Sequence, residues 1–121
     1  MTSITPFGQS GPYSEYKAYY LNTYQSSMLG YITPVGSSRS ERPPLKSGGL
    51  VGEYAVGLNA AVATLGALYL QQLRGQGQHL DISKQEALMC YGRVNASYYA
   101  NGGVEHPRIV PDYGQGWHDA L

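Results

Sequence analysis

The stretch "LVGEYAVGLNAAVATLGALYL", from Leu50 to Leu70, is the longest apolar run in the chain, and it carries one ionisable side chain, Glu53. A carboxylate taken out of water is costly unless a partner or a hydrogen-bond donor stabilises it. A helix start supplies such donors, because its first N–H groups have no intrahelical acceptor and its dipole is positive there. Two readings of Glu53 follow. An ionised, partly desolvated carboxylate is a competent nucleophile. Equally, an acidic residue in a first turn can do no more than favour the helix. Gly52, and the Gly-rich stretch before it, would admit a substrate to that carboxylate.

The other chemistry-bearing residue types form no comparable pattern. His79, His106 and His118 lack the spacing of metal ligands, so no metal site is read. "RGQGQ" has the glycines of a phosphate loop, but it follows a helical pattern instead of leading from a strand into a helix. Cys90, the only cysteine, excludes an internal disulfide, fits a reducing compartment, and reads as a buried helix residue.

These residues must be positioned by a modest α/β chain. The chain has 121 residues, enough for one domain. Lys plus Arg and Asp plus Glu are 8 each, and no basic stripe stands out, so nucleic-acid binding has no electrostatic support. "MTSITPFGQS" has neither the basic start nor the apolar core of a signal peptide, and the expected location is the cytoplasm. The apolar run is just long enough to cross a membrane. Glu53 and Asn59 would be expensive in lipid, and Gln71-Gln72 follow directly, so a buried helix of a soluble protein is expected instead.

The run begins at Glu53, keeps helical spacing through Tyr54, Leu58, Ala61, Leu65, Leu68 and Leu73, and ends near Arg74 with Gly75 as a left-handed stop. Being apolar all round, it should be buried over most of its length. Before it, Ser3 to Thr5 reads as a strand end. A helix capped by Ser14 follows, with Tyr16, Tyr20, Tyr24 and Met28 on one face, stopping at Gly30. Thr33 to Gly52 is a Pro-, Gly- and Ser-rich loop of about 20 residues, long enough to suggest a functional loop. After it, "GQHLDIS" alternates as a short strand, and "SKQE" reads as a capping box for a third helix running to Asn101-Gly102. The tail from Val104 shows loop signals only. Strands alternating with helices imply parallel pairing. Two short strands cannot cover three helices, so the fold class is a helix-rich α/β fragment of a Rossmann-like parallel-sheet domain. Residues 1–121 are expected to form a single partial domain.

The segments "SITPFGQSGPY", "YKAYYLNTYQ" and "GEYAVGLNAAVATLGALYLQQLRGQGQHLDISKQEAL" resemble the central part of the family III CoA-transferases of the CaiB/BaiF type, from Thr2 to Met89. This family includes formyl-CoA and carnitine CoA-transferases and the related α-methylacyl-CoA racemases. The resemblance implies CoA transfer between carboxylic acids, with an acyl-CoA thioester as substrate, no further cofactor, and an interlocked homodimer. It also implies that the residue at Glu53 is the nucleophile, passing through a mixed anhydride and an enzyme–CoA thioester. The family carries Asp at that position. Glutamate can form the same intermediates, but its extra methylene moves the carboxylate by roughly an ångström, and an error of that size can cost about a hundredfold in rate. Lys17 matches a lysine that contacts CoA, and its charge suits phosphates. Tyr19 matches an active-site tyrosine whose hydroxyl could bond an acyl carboxylate. Solvated and packed roles for Lys17 and Tyr19 stand beside these. A degenerate family domain used for dimerisation or scaffolding is the alternative to the enzyme, and a racemase is a second.

Overall fold

The computed structural model describes residues 1–33 and 43–103. Strand β1 (Thr2–Thr5) is followed by α1 (Tyr20–Ser26) and α2 (Leu29–Ile32). The long α3 (Val51–Arg74) then leads to β2 (Leu80–Ser83), which passes without a break into α4 (Lys84–Met89), a 3-10 turn (Cys90–Gly92) and α5 (Arg93–Gly102). The two strands pair in parallel, with Thr2 opposite Leu80, Ile4 opposite Ile82 and Thr5 opposite Ser83. Parallel neighbours require a crossover, and the helices between them provide it. The result is the helix-rich α/β arrangement expected, with a small two-stranded parallel sheet.

The core lies where α1, α3 and α4 meet. Leu88 and Val56 are almost fully enclosed, joined by Tyr24, Ala60, Thr23 and Ser27. Thr64 donates its hydroxyl to Ala60 O at 2.7 Å and lies 2.8 Å from the Thr2 hydroxyl, which ties α3 to β1. Gln85 N–H donates to Pro6 O at 3.1 Å and holds the chain after β1 against the start of α4.

Three expectations are corrected. The helix from Ser14 does not form. The Ser14 hydroxyl donates to Gly11 O at 3.0 Å, a local turn that competes with capping. The helix starts only after Tyr19, whose N–H donates to Asn22 Oδ1 at 3.0 Å. It stops at Ser27 because Met28 turns left-handed at φ 73°, separating α1 from α2. Tyr16 therefore does not share a helix face with Tyr20 and Tyr24. The third helix is likewise two helices joined by the 3-10 turn, and Cys90 within that turn is exposed, not buried.

The third correction concerns α3. It ends as expected, at Arg74 with Gly75 at φ 70° donating to Gln71 O, but begins two residues before Glu53. Among the described residues only Gly52, Val56 and Ala60 of this helix are buried. Leu58, Val62, Leu65, Tyr69 and Leu73 are exposed, Leu65 to 66%. The helix is long and apolar enough to cross a membrane, by length and composition. Its apolar surface exceeds what α1, α4 and two strands can cover. Contiguous apolar surface of this kind drives association. The 121-residue chain expressed by itself is therefore expected to bind a hydrophobic dye and to elute above monomer mass in light-scattering chromatography. A dye-silent monomer would contradict the exposure of α3.

Candidate active site around Glu53

Two helix starts converge on Glu53. It lies in the first turn of α3, and Lys84 is the first residue of α4. The Lys84 ammonium donates to both carboxylate oxygens, at 2.9 Å to Oε1 and 2.7 Å to Oε2. Both side chains are partly shielded, with relative exposures of 26% for Lys84 and 29% for Glu53. The carboxylate is thus oriented by a cation on one side and open to solvent on another. Lys84 stands at the end of a helix that ordinarily favours anions, so its own helix does not explain its charge; the carboxylate opposite does. Ser83 caps α4 by accepting from Glu86 N–H at 3.3 Å, which is the Ser83 half of the expected capping box.

The backbone under Glu53 is held by Tyr20. Gly52 N–H donates to the Tyr20 hydroxyl at 3.2 Å, and that hydroxyl lies 3.5 Å from Ser47 Oγ. The Tyr20 ring stacks obliquely on Tyr24 at 5.5 Å between centroids, with the Lys46 ammonium 4.9 Å above it. Lys46 also donates to Gly49 O at 2.8 Å and Ser47 O at 3.1 Å, closing the turn that enters α3. Gly52 does not serve as an opening for substrate, contrary to the sequence reading. A Cβ there would lie 2.6 Å from Tyr20 Cε2 and 3.2 Å from Leu88 Cδ2, so the space is filled from within.

Lys17 and Tyr19 lie on the extended approach to α1, not within a helix. Tyr19 is 85% exposed and adjoins the Tyr20–Gly52 contact, while Lys17 is exposed two residues earlier. Among the described residues no hydrogen bond joins either side chain to Glu53. The sequence reading gave no site role to Lys84, which contacts Glu53, to Tyr20, which holds the Gly52 backbone before it, or to Lys46, which lies over the Tyr20 ring. Tyr20 was visible as part of an aromatic face, and Lys84 as a cation at a helix start. Lys46 gave no signal. No cluster of three or more His, Cys, Asp or Glu side chains fit for a metal occurs among the described residues. His106 and His118, and the loop readings for 34–42 and for the tail, fall outside them.

Parallel strands joined through a crossover helix define an α/β protein, with a partly exposed carboxylate in the first turn of that helix. The chain belongs to CoA-transferase family III, whose sequence profile matches residues 1–117. It is 34% identical over 92 residues to the formyl-CoA:oxalate CoA-transferase of Streptomyces avermitilis, covering 76% of this chain and 21% of that one. It is 30% identical over 118 residues to the succinate–glutarate CoA-transferase of Agrobacterium fabrum, covering 90% and 28%. The L-carnitine CoA-transferase of Proteus mirabilis is 31% identical over 109 residues, covering 88% and 26%. The crystal structure of a CAIB/BAIF family protein from Brucella suis superposes with a TM-score of 0.80 at 27% identity, covering 89% of this chain and 28% of that one. The chain thus spans under a third of the length of the relatives it matches.

Proposed function

We propose that residues 1–121 are a single partial domain, the central segment of a cytoplasmic, homodimeric CoA-transferase that moves CoA between carboxylic acids through Glu53. The observation that carries this reading is the Glu53 carboxylate itself, fixed in the first turn of α3 and still reachable from solvent. A Glu53 oxygen attacks the acyl carbon of an acyl-CoA, the C–S bond breaks, and CoA thiolate leaves. The thiolate then attacks Cδ of Glu53 in the mixed anhydride and expels the acyl carboxylate, leaving an enzyme–CoA thioester. An acceptor carboxylate attacks Cδ and expels the thiolate, forming a new anhydride. Thiolate attack on its acyl carbon completes the transfer and restores Glu53. No proton or electron is gained or lost. Lys17 would meet the CoA phosphates and Tyr19 the acyl carboxylate, both being exposed beside α1.

The relatives' substrates suggest formyl-, acetyl- and succinyl-CoA as donors to try, with oxalate and succinate as acceptors. Incubating the complete protein with each donor, and then digesting it, should yield a peptide holding Glu53 with CoA attached, which hydroxylamine releases. Absence of that peptide with every donor would remove the transfer reading. The same experiment separates it from the non-catalytic alternative. That alternative draws support from the ion pair, which neutralises the carboxylate, and from Glu in place of the family's Asp.

A further inference from the structure

We propose that Lys84 is a catalytic residue of the transfer reaction: its ammonium orients the Glu53 carboxylate and then donates to the oxyanion that forms at Cδ of Glu53. The inference rests on Glu53 being the nucleophile. Its basis is geometric. The Lys84 ammonium lies 2.9 Å from Oε1 and 2.7 Å from Oε2 of the resting carboxylate, so it already touches both oxygens on which charge would form. An ionised carboxylate has about four lone-pair sites, and Lys84 occupies one on each oxygen, so each oxygen keeps one with which to attack. Once one oxygen is acylated or replaced by CoA sulfur, the other remains as the carbonyl oxygen, still beside the ammonium. When thiolate or acceptor carboxylate adds to Cδ, the C=O electron pair moves onto that oxygen and the charge forms next to Lys84. When the leaving group departs with its electron pair, the pair on oxygen returns to the carbonyl. The ammonium keeps its protons throughout.

The contact also sets a cost on one step and a gain on another. Lys84 stabilises the resting carboxylate, which slows its first attack, and it stabilises each oxyanion at Cδ, which speeds formation and discharge of the thioester. A purely structural ion pair would stabilise the resting carboxylate alone.

The test uses the complete protein with formyl-, acetyl- and succinyl-CoA as donors, and oxalate or succinate as acceptors. Discharge of the isolated Glu53–CoA thioester by acceptor is followed in a single turnover. Lys84→Met should slow that discharge about a hundredfold, with KM for the acyl-CoA and the melting temperature little changed. Lys84→Arg, which keeps the charge and donors, should recover most of the rate. If Lys84→Met melts early, Lys84→Gln at a permissive temperature provides the same comparison. Wild-type rate constants in Lys84→Met, or an unchanged rate constant with a smaller amplitude, would overturn the role of Lys84 while leaving Glu53 labelled. Failure to label Glu53 in the wild type with any donor would instead overturn the nucleophile reading, and this inference with it.

Discussion

Replacing Glu53 by glutamine in the complete protein is expected to reduce CoA transfer to background, a loss on the order of 10⁴-fold or more for removal of a covalent nucleophile. The substitution keeps the shape of the side chain. Glutamine retains one carbonyl oxygen to accept from Lys84, and Lys84 itself is partly solvated, so the fold should lose no more than about 1 kcal/mol. The missing element is the anionic oxygen that attacks the thioester in the proposed reaction. Glu53→Asp separates charge from reach. It introduces the acid that the resemblance implies at this position, but withdraws the carboxylate by roughly an ångström from the 2.7 Å and 2.9 Å contacts with Lys84. Measurable transfer should remain, displaced from wild type by no more than about a hundredfold in either direction. Steady-state transfer assays on both variants, with melting curves alongside, decide the matter. Full activity in Glu53→Gln would leave the carboxylate a structural acid and favour the non-catalytic domain.

Local signals carried much of the architecture into the sequence. The end of α3 was legible because Arg74 and Gly75 suit a helix terminus whatever surrounds them. The β2–α4 junction was legible because Ser83 caps four residues after the alternation begins. The alternation of strand and helix implied parallel pairing, and β1 and β2 pair so.

What failed depended on contacts distant in the chain, or on the choice between competing local bonds. Ser14 can cap a helix or close a turn on Gly11, and the residue type does not say which. Met28 adopts a left-handed conformation that its side chain disfavours, so no propensity predicts the break after α1. The apolar surface of α3 reads from the sequence as buried over most of its length, and most of it is exposed, because hydrophobic patterning names a surface and not what lies on it. The buried residues of α3, Gly52, Val56 and Ala60, all lie in its N-terminal half. Within "YKAYY", Tyr19 and Tyr20 are chemically the same, and only the place where α1 begins decides that Tyr20 meets Gly52 while Tyr19, on the extended residue before it, faces solvent. Glu53 was found because an acid in an apolar run is locally anomalous. Lys84 was missed because its partner lies 31 residues earlier and the ion pair exists only once α3 and α4 are packed together.

Gly52→Ala should destabilise the complete protein by about 1–2 kcal/mol, although alanine is the better helix former. Gly52 is not at positive φ, so its backbone gives no reason for glycine. Propensity alone would make the change favourable by up to about 1 kcal/mol. The side-chain contacts reverse the sign. The new Cβ would sit 2.6 Å from Tyr20 Cε2 and 3.2 Å from Leu88 Cδ2. Leu88 is almost fully buried, and Tyr20 is fixed by the Gly52 N–H, by Tyr24 and by Lys46, so neither yields without moving a neighbour. Overpacking of this kind typically costs about 1–3 kcal/mol. The strain falls on the residue preceding Glu53, so transfer should fall more steeply than stability, by up to about a hundredfold for a shift near an ångström. Trimming the obstacle should relieve both effects: in a Tyr20→Ala background, Gly52→Ala should cost little further stability. Melting temperatures and transfer rates across this double-mutant cycle read the coupling directly. A Gly52→Ala protein that melts higher than wild type, with transfer intact, would show that Tyr20 does not press against the start of α3.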